Sequence, residues 1–83
     1  MTSQITIETE KQHYGNWLKI NIPYPSLKKT TACLQNSHGE ILKFVMLNEG
    51  NNTIDISNIV EEMVDVKIET PCEIILRKIN ITH

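Results

Sequence analysis

A chain of 83 residues lies near the lower size limit for folding without disulfides or metals, and we expect it to form one domain, residues 1–83. With 40% hydrophobic and only 22% charged residues it is apolar enough to fold, which argues against intrinsic disorder. Its net charge of −2 and its scattered lysines and arginines argue against nucleic acid as the main ligand.

Alternating apolar and polar residues begin near the N-terminus. They predict a first short strand at 4–8 and a second at 17–22, in which Leu18, Ile20 and Ile22 share one face. Two prolines end the second strand, because proline cannot donate a hydrogen bond to a ladder. The pattern predicts the third strand at 31–35.

A hairpin and an unusual strand follow. The segment 36–40 is polar and contains Gly39, which is free to adopt the positive φ of a hairpin turn. In the returning strand, 41–47, Leu42, Phe44 and Met46 alternate with a second set of mostly apolar residues. A strand of this kind is either buried on both faces or exposes an apolar patch, so we predict that it is a contact element.

The stretch 47–58, LNEGNNTIDISN, is a corner rich in turn-forming residues. Gly50, Asn51 and Asn52 are predicted turn residues, because glycine and asparagine tolerate left-handed backbone and asparagine bonds to its own main chain. Alternation resumes at 53–56, with Ile54 and Ile56 pointing inward. We expect the corner to carry the chain from one sheet into another.

The last third of the chain contains two more strands. A single helical turn is predicted at 57–62, a strand at 64–69, a turn at 70–73 and a final strand at 74–81. About seven short strands without intervening helices predict an all-β fold, a small antiparallel β-sandwich of immunoglobulin-like type. A small barrel is the alternative.

The order of these features, from about residue 17 to residue 81, resembles a known family. The hairpin 34–43 with Gly39, the corner 47–58, the sequence VKIE at 66–69 and the basic-apolar strand 75–79 are similar to the C-terminal sorting domain of type IX secretion cargo proteins in Bacteroidetes. The resemblance implies a β domain that the secretion machinery recognises as an address and removes. The chain departs from the family in lacking its Gly-x-Tyr element, since residues 62–65 are EMVD, and in lacking a signal peptide.

The N-terminus has no basic start followed by an apolar stretch, as a secretory signal would. No segment approaches the ~18 consecutive apolar residues of a membrane-spanning helix. We therefore expect the chain as written to be cytoplasmic and without a membrane span. If it is a fragment of a longer exported protein, we expect it to be secreted or at the cell surface.

Reactive side chains show no catalytic or metal-binding pattern. His38 lies in the predicted hairpin tip, and His13 and His83 fit ordinary surface positions. Cys33 and Cys72 lack the spacing of a zinc or redox site and are expected to be free thiols, although whether they pair is left open. We predict no catalytic residue, no metal site and no cofactor.

Candidate binding residues are apolar or basic and lie on predicted strands. Aromatic residues near the second strand include Trp17, with Tyr14 and Tyr24 on either side of it, and exposed aromatics favour partner binding. The last strand, 74–81, is predicted as a second contact element, and it contributes a basic pair. The predicted interface therefore consists of Phe44, Met46, Leu42, Trp17, Arg77 and Lys78.

Three functions are compatible with these residues. The favoured hypothesis is a non-enzymatic recognition module that binds a protein partner, or itself, through its sheet edges and one apolar face. An alternative is a free-standing intracellular β-sandwich subunit that self-assembles or binds a partner unrelated to secretion. A second alternative is a small enzyme or ligand carrier that depends on cysteine or histidine.

Overall fold

The computed structural model describes residues 5–12, 15–23, 29–71 and 73–81. These residues form an all-β structure, as predicted, with antiparallel strands arranged in two sheets. The described strands are β1 (Thr6–Gln12), β2 (Gly15–Ile22), β3 (Thr30–Gln35), β4 (Ile41–Leu47), β5 (Gly50–Asp55), β6 (Met63–Glu69) and β7 (Ile74–Asn80).

The strand order is immunoglobulin-like. One sheet has the order β1-β2-β5 and the other has the order β4-β3-β6-β7. In a constant-type immunoglobulin domain the fourth strand joins the sheet of the first, second and fifth. Here it pairs with β3 instead, so the two sheets have three and four strands.

A core of aliphatic side chains lies between the two sheets. Alternate residues of β2, β3 and β6 are fully or almost fully buried, which matches the period of two that a half-buried strand requires. The largest fully buried side chains of this core are Leu18, Ile20, Ile22, Leu34, Ile56, Val64, Val66 and Ile68. The predicted inward face of the second strand, with Leu18, Ile20 and Ile22, is confirmed.

The corner after β4 carries the chain from the four-stranded sheet into the three-stranded sheet, as predicted. Strand β5 begins at Gly50 rather than at residue 53, so Asn51 and Asn52 lie in a strand and not in a turn. The Asn52 side chain nevertheless holds the corner. Its Nδ2 lies 2.8 Å from the Asn48 main-chain oxygen, and its Oδ1 accepts a 2.9 Å hydrogen bond from the Asn48 N–H.

Two other predicted elements differ from the structure. Strand β1 spans Thr6–Gln12 rather than 4–8, because pairing with β2 and not apolar alternation defines this polar strand. The segment 57–62 has a turn at Ser57 and Asn58 but no helix. Ser57 instead bonds to β2, since its hydroxyl accepts a 3.0 Å hydrogen bond from the Asn16 N–H.

Some residues that were considered from the sequence lie outside the part of the chain that the structure describes. These are His13, Tyr14, Tyr24, Cys72 and His83. Among the residues that the structure describes, no helix is long and apolar enough to cross a membrane.

Candidate protein-binding surface

The outer side of the four-stranded sheet exposes large apolar side chains. On β3 and β6 the buried residues alternate with residues that face away from the core, and these outward residues line the surface that we call the β4–β7 face. The face consists of Ile41, Phe44 and Met46 on β4, Thr31, Cys33 and Gln35 on β3, Asp65, Lys67 and Glu69 on β6, and Ile74, Leu76 and Lys78 on β7.

The register of the strands arranges this face in rows. The middle row runs from Phe44 to Cys33, Lys67 and Leu76, each directly opposite the next. Neighbouring strands lie about 4.8 Å apart, so the two ends of a row are separated by roughly 14 Å. Each row therefore reaches from one edge of the sheet to the other.

The apolar residues lie at the two edges of the face. Phe44 is 57% exposed and Met46 is 57% exposed on β4, and Leu76 is 66% exposed on β7. Ile41 and Ile74 extend the two apolar columns. Large exposed apolar side chains grouped on one face of a small protein are typical of an interaction site.

The middle of the face is polar. The β3 column is neutral and consists of Thr31, Cys33 and Gln35. The β6 column alternates in charge, and the Lys67 Nζ lies 3.9 Å from the Glu69 carboxylate. An apolar column on β4 and a β7 column that is apolar at Ile74 and Leu76 thus flank a neutral column and a charged one.

Leu42 does not belong to the outer side. The register shifts at the end of β3, so that Leu34 pairs with Lys43 and Gln35 pairs with Ile41. This bulge leaves Leu42 without a cross-strand partner in β3, and its side chain packs against the core with Val45. The sequence placed it with Phe44 because unbroken alternation gives them the same parity, and the bulge breaks that alternation.

Basic residues occupy both edges of the four-stranded sheet. The Lys43 Nζ donates a hydrogen bond across the sandwich to the Asp55 main-chain oxygen, next to the β4 bulge. At the other edge, Arg77 and Lys78 are exposed on β7. Bulges and charged residues at edges hinder the addition of further strands, so the geometry favours the face over the edges as a binding surface.

A shallow depression lies on the β7 side of the face. It has a volume of about 450 Å³ and is lined by Gln35, Asp65, Leu76, Arg77 and Lys78. Leu76 supplies its apolar part. The last strand was predicted as a contact element, but Leu76 and Ile74 were not named among its interface residues, although the unbroken apolar run 74–76 in an edge strand is a signal that could have found them.

Trp17 lies on the opposite side of the sandwich from Phe44. It belongs to β2 in the three-stranded sheet and lies between Glu10 of β1 and Asp55 of β5. The indole is half-buried, and its Nε1 is buried with no hydrogen-bond acceptor among the described residues. The predicted interface residues therefore fall on two surfaces.

Candidate reactive groups are not gathered into a site. Cys33 is a half-buried free thiol in the middle of the β4–β7 face, and the Gln35 amide nitrogen lies 3.7 Å from its sulfur. His38 is exposed in the β3–β4 turn, and its backbone N–H donates a 2.9 Å hydrogen bond to the Asn36 Oδ1. Among the described residues, no three His, Cys, Asp or Glu side chains converge as metal ligands would.

One carboxylate has a shifted pKa. The Ser57 hydroxyl and, to a smaller extent, the Ser57 backbone N–H hold the pKa of Asp55 below its usual value. The N–H donates a 2.9 Å hydrogen bond to the carboxylate. This arrangement closes the end of β5 against β2 and stabilises the fold, since Ser57 also bonds to Asn16.

The comparisons with known proteins add no family. No family model, no curated protein and no solved structure matches this chain. The fold and the β4–β7 face are therefore the observations on which a function can be argued.

Proposed function

We propose that the protein is a non-enzymatic recognition module that binds a protein partner through the β4–β7 face. The observation that carries this proposal is the pair of exposed apolar columns, Phe44 and Met46 at one edge and Leu76 at the other. Side chains of this kind contribute most of the binding energy in protein interfaces, and polar residues around them set orientation.

The core does not account for this apolar surface. Three aliphatic residues on each of β2 and β6 are buried between the sheets. Phe44 and Leu76 are more than half exposed, so they contribute little to burial within one chain. A partner that covers them removes apolar area from water at about 25 cal/mol per Å².

The finer proposal is that this module serves as a C-terminal address for type IX secretion. Its support is the resemblance in sequence order, in which Gly39 and Gly50 occupy the positions of the turn glycines of the sorting domains. Both glycines have positive φ, +81° and +88°, a backbone conformation that favours glycine, although Gly50 already belongs to β5. The fold is also the one that the resemblance implies.

The direct test is export of a reporter. A reporter enzyme with a signal peptide is fused to the N-terminus of this chain and expressed in a bacterium that has a type IX system. We expect reporter activity in the medium, and activity retained in the periplasm when the chain is omitted or the system is deleted. Retention of the intact, folded fusion in the periplasm would refute the sorting role.

A second experiment separates recognition from chemistry that depends on thiols. Serine replaces both cysteines, Cys33 and Cys72, in the same fusion. Because serine is close to cysteine in size and the apolar columns are untouched, export is expected to continue. Loss of export with the fold retained would favour a role for the thiols instead.

A further inference from the structure

We infer that the β4–β7 face pairs with the same face of a second copy of this chain, with Phe44 of each copy entering the depression beside Leu76 of the other. The inference rests on the proposed function in one respect, namely that this face is the binding surface. It adds that the partner is a second copy of the chain, and it states how the two faces are oriented.

The first argument is the symmetry of the apolar columns. A two-fold axis that lies between two stacked faces and runs parallel to the strands places β4 of one copy over β7 of the other. Phe44 then lies over Leu76 of the second copy, and Met46 lies over Ile74, because each pair occupies the same row. A protruding aromatic ring meets a hollow lined by Leu76.

The second argument is the distribution of polar groups. The same axis places the charged β6 column over the neutral β3 column of the second copy. Glu69 then faces Thr31 and Asp65 faces Gln35, so each carboxylate meets a hydroxyl or amide that can donate a hydrogen bond. Lys67 keeps its own neighbour, the Glu69 carboxylate at 3.9 Å.

The charges also select this arrangement over the other symmetric one. An axis that runs across the strands stacks each column on itself and inverts the rows. There Phe44 faces Phe44 and Leu76 faces Leu76 of the second copy. However, Asp65 faces Glu69 and Lys67 faces Lys67. Like charges in direct opposition are destabilising, so we expect the two-fold axis to run along the strands and not across them.

The size of the face sets the strength of the pairing. Four strands at ~4.8 Å and seven residues at ~3.3 Å give a face of about 19 by 23 Å, or roughly 900 Å² for two copies. This is close to the lower limit of about 1,000 Å² for specific interfaces. We therefore expect a weak dimer, which forms only at high protein concentration.

Sedimentation equilibrium on the full chain tests the pairing. The wild-type chain is expected to shift from monomer to dimer as its concentration rises. Phe44→Lys and Leu76→Glu are each expected to raise the Kd of the dimer at least ~30-fold. Val60→Lys is the matched control, because Val60 is an 82% exposed apolar residue outside the face. Circular dichroism verifies the fold of each variant. The single variants Met46→Lys and Ile74→Glu repeat the test in the next row.

Mixing the two variants tests the geometry. When a Phe44→Lys chain meets a Leu76→Glu chain, the arrangement with the axis along the strands forms one native Phe44–Leu76 contact and one contact of opposite charges. A heterodimer is therefore expected. In the inverted arrangement position 44 faces position 44, and no complementary contact forms. Failure of the mixture to dimerise would overturn the inference.

Two further results would also overturn it: a wild type that stays monomeric at about 1 mM, and dissociation by Val60→Lys as strong as that by Phe44→Lys. These failures are distinguishable from failure of the proposed function. A monomeric chain that still directs reporter export, and loses export with Phe44→Lys, keeps the recognition role and excludes only the second copy as occupant.

Discussion

The two sheets share an inner face of the same kind but differ on their outer sides. The outer side of the three-stranded sheet is mainly polar, and its cross-strand contacts include an ion pair between Lys19 and Glu10. The outer side of the four-stranded sheet exposes Phe44, Met46 and Leu76 instead. Burial in the core constrains both inner faces equally, so it does not account for the difference between the outer sides.

The largest expected effect is a difference in stability between a substitution on the inner side of β3 and one on its outer side. Leu34→Ala removes a fully buried side chain and leaves a cavity, which is expected to cost about 2–5 kcal/mol in the free energy of unfolding. Cys33→Ala, one residue earlier on the outer side, is expected to cost less than about 1 kcal/mol. Urea denaturation measures both. Equal losses would contradict the assignment of Cys33 to the outer side.

The next effect contrasts a glycine at the start of β2 with a glycine in the β3–β4 turn. Gly15 has φ +143°, and a Cβ there would overlap the Ser57 hydroxyl, whereas Gly39 has φ +81° and open space around it. Gly15→Ala is expected to cost about 2–4 kcal/mol, from backbone strain and overlap together. Gly39→Ala is expected to cost about 1–2 kcal/mol, from strain alone. Thermal unfolding followed by circular dichroism gives the order, and a reversed order would refute the Ser57 contact.

A smaller effect concerns the corner between the sheets. The half-buried Asn52 amide lies within hydrogen-bond distance of main-chain oxygens of Asn48, Gly50 and Ile20. Asn52→Ala is expected to cost about 1–3 kcal/mol, because these main-chain groups lose their partner. Asn51→Ala, at an exposed neighbour, is expected to change stability by less than ~0.5 kcal/mol. Chemical denaturation of the two variants would show no difference if Asn52 did not hold the corner.

The smallest effect is a pH dependence in the three-stranded sheet. The pKa of Asp55 is lower in the folded chain, so its contribution to stability is present above the unfolded pKa of about 3.9 and is lost as the pH falls through the folded pKa. Asp55→Asn removes this titration. Stability measured from about pH 6 to pH 2 is therefore expected to fall less steeply in the variant, and parallel curves would contradict the contribution of Ser57.

The sequence alone predicts which residues of a strand face the core. Leu18, Ile20 and Ile22 alternate with polar residues, and burial against a second sheet requires that period. The change of sheet at the corner followed from glycine and asparagine chemistry. These features are local, and local chemistry determines them.

Features that depend on pairing could not be predicted in the same way. Strand β1 is polar and is defined by its register with β2. The bulge that turns Leu42 inward depends on how β3 and β4 align. Trp17 and Phe44 were grouped as one interface because both are aromatic strand residues, but the sheet to which each strand belongs is a long-range property that alternation does not encode.

The measurement that tests the central claim most directly compares one lysine substitution on each outer side in the reporter fusion. Phe44→Lys changes the β4–β7 face, and Thr53→Lys changes an exposed position on the three-stranded sheet. If the β4–β7 face is the recognition surface, Phe44→Lys abolishes export and Thr53→Lys leaves it near the wild-type level. Equal export of the two folded fusions would contradict the claim.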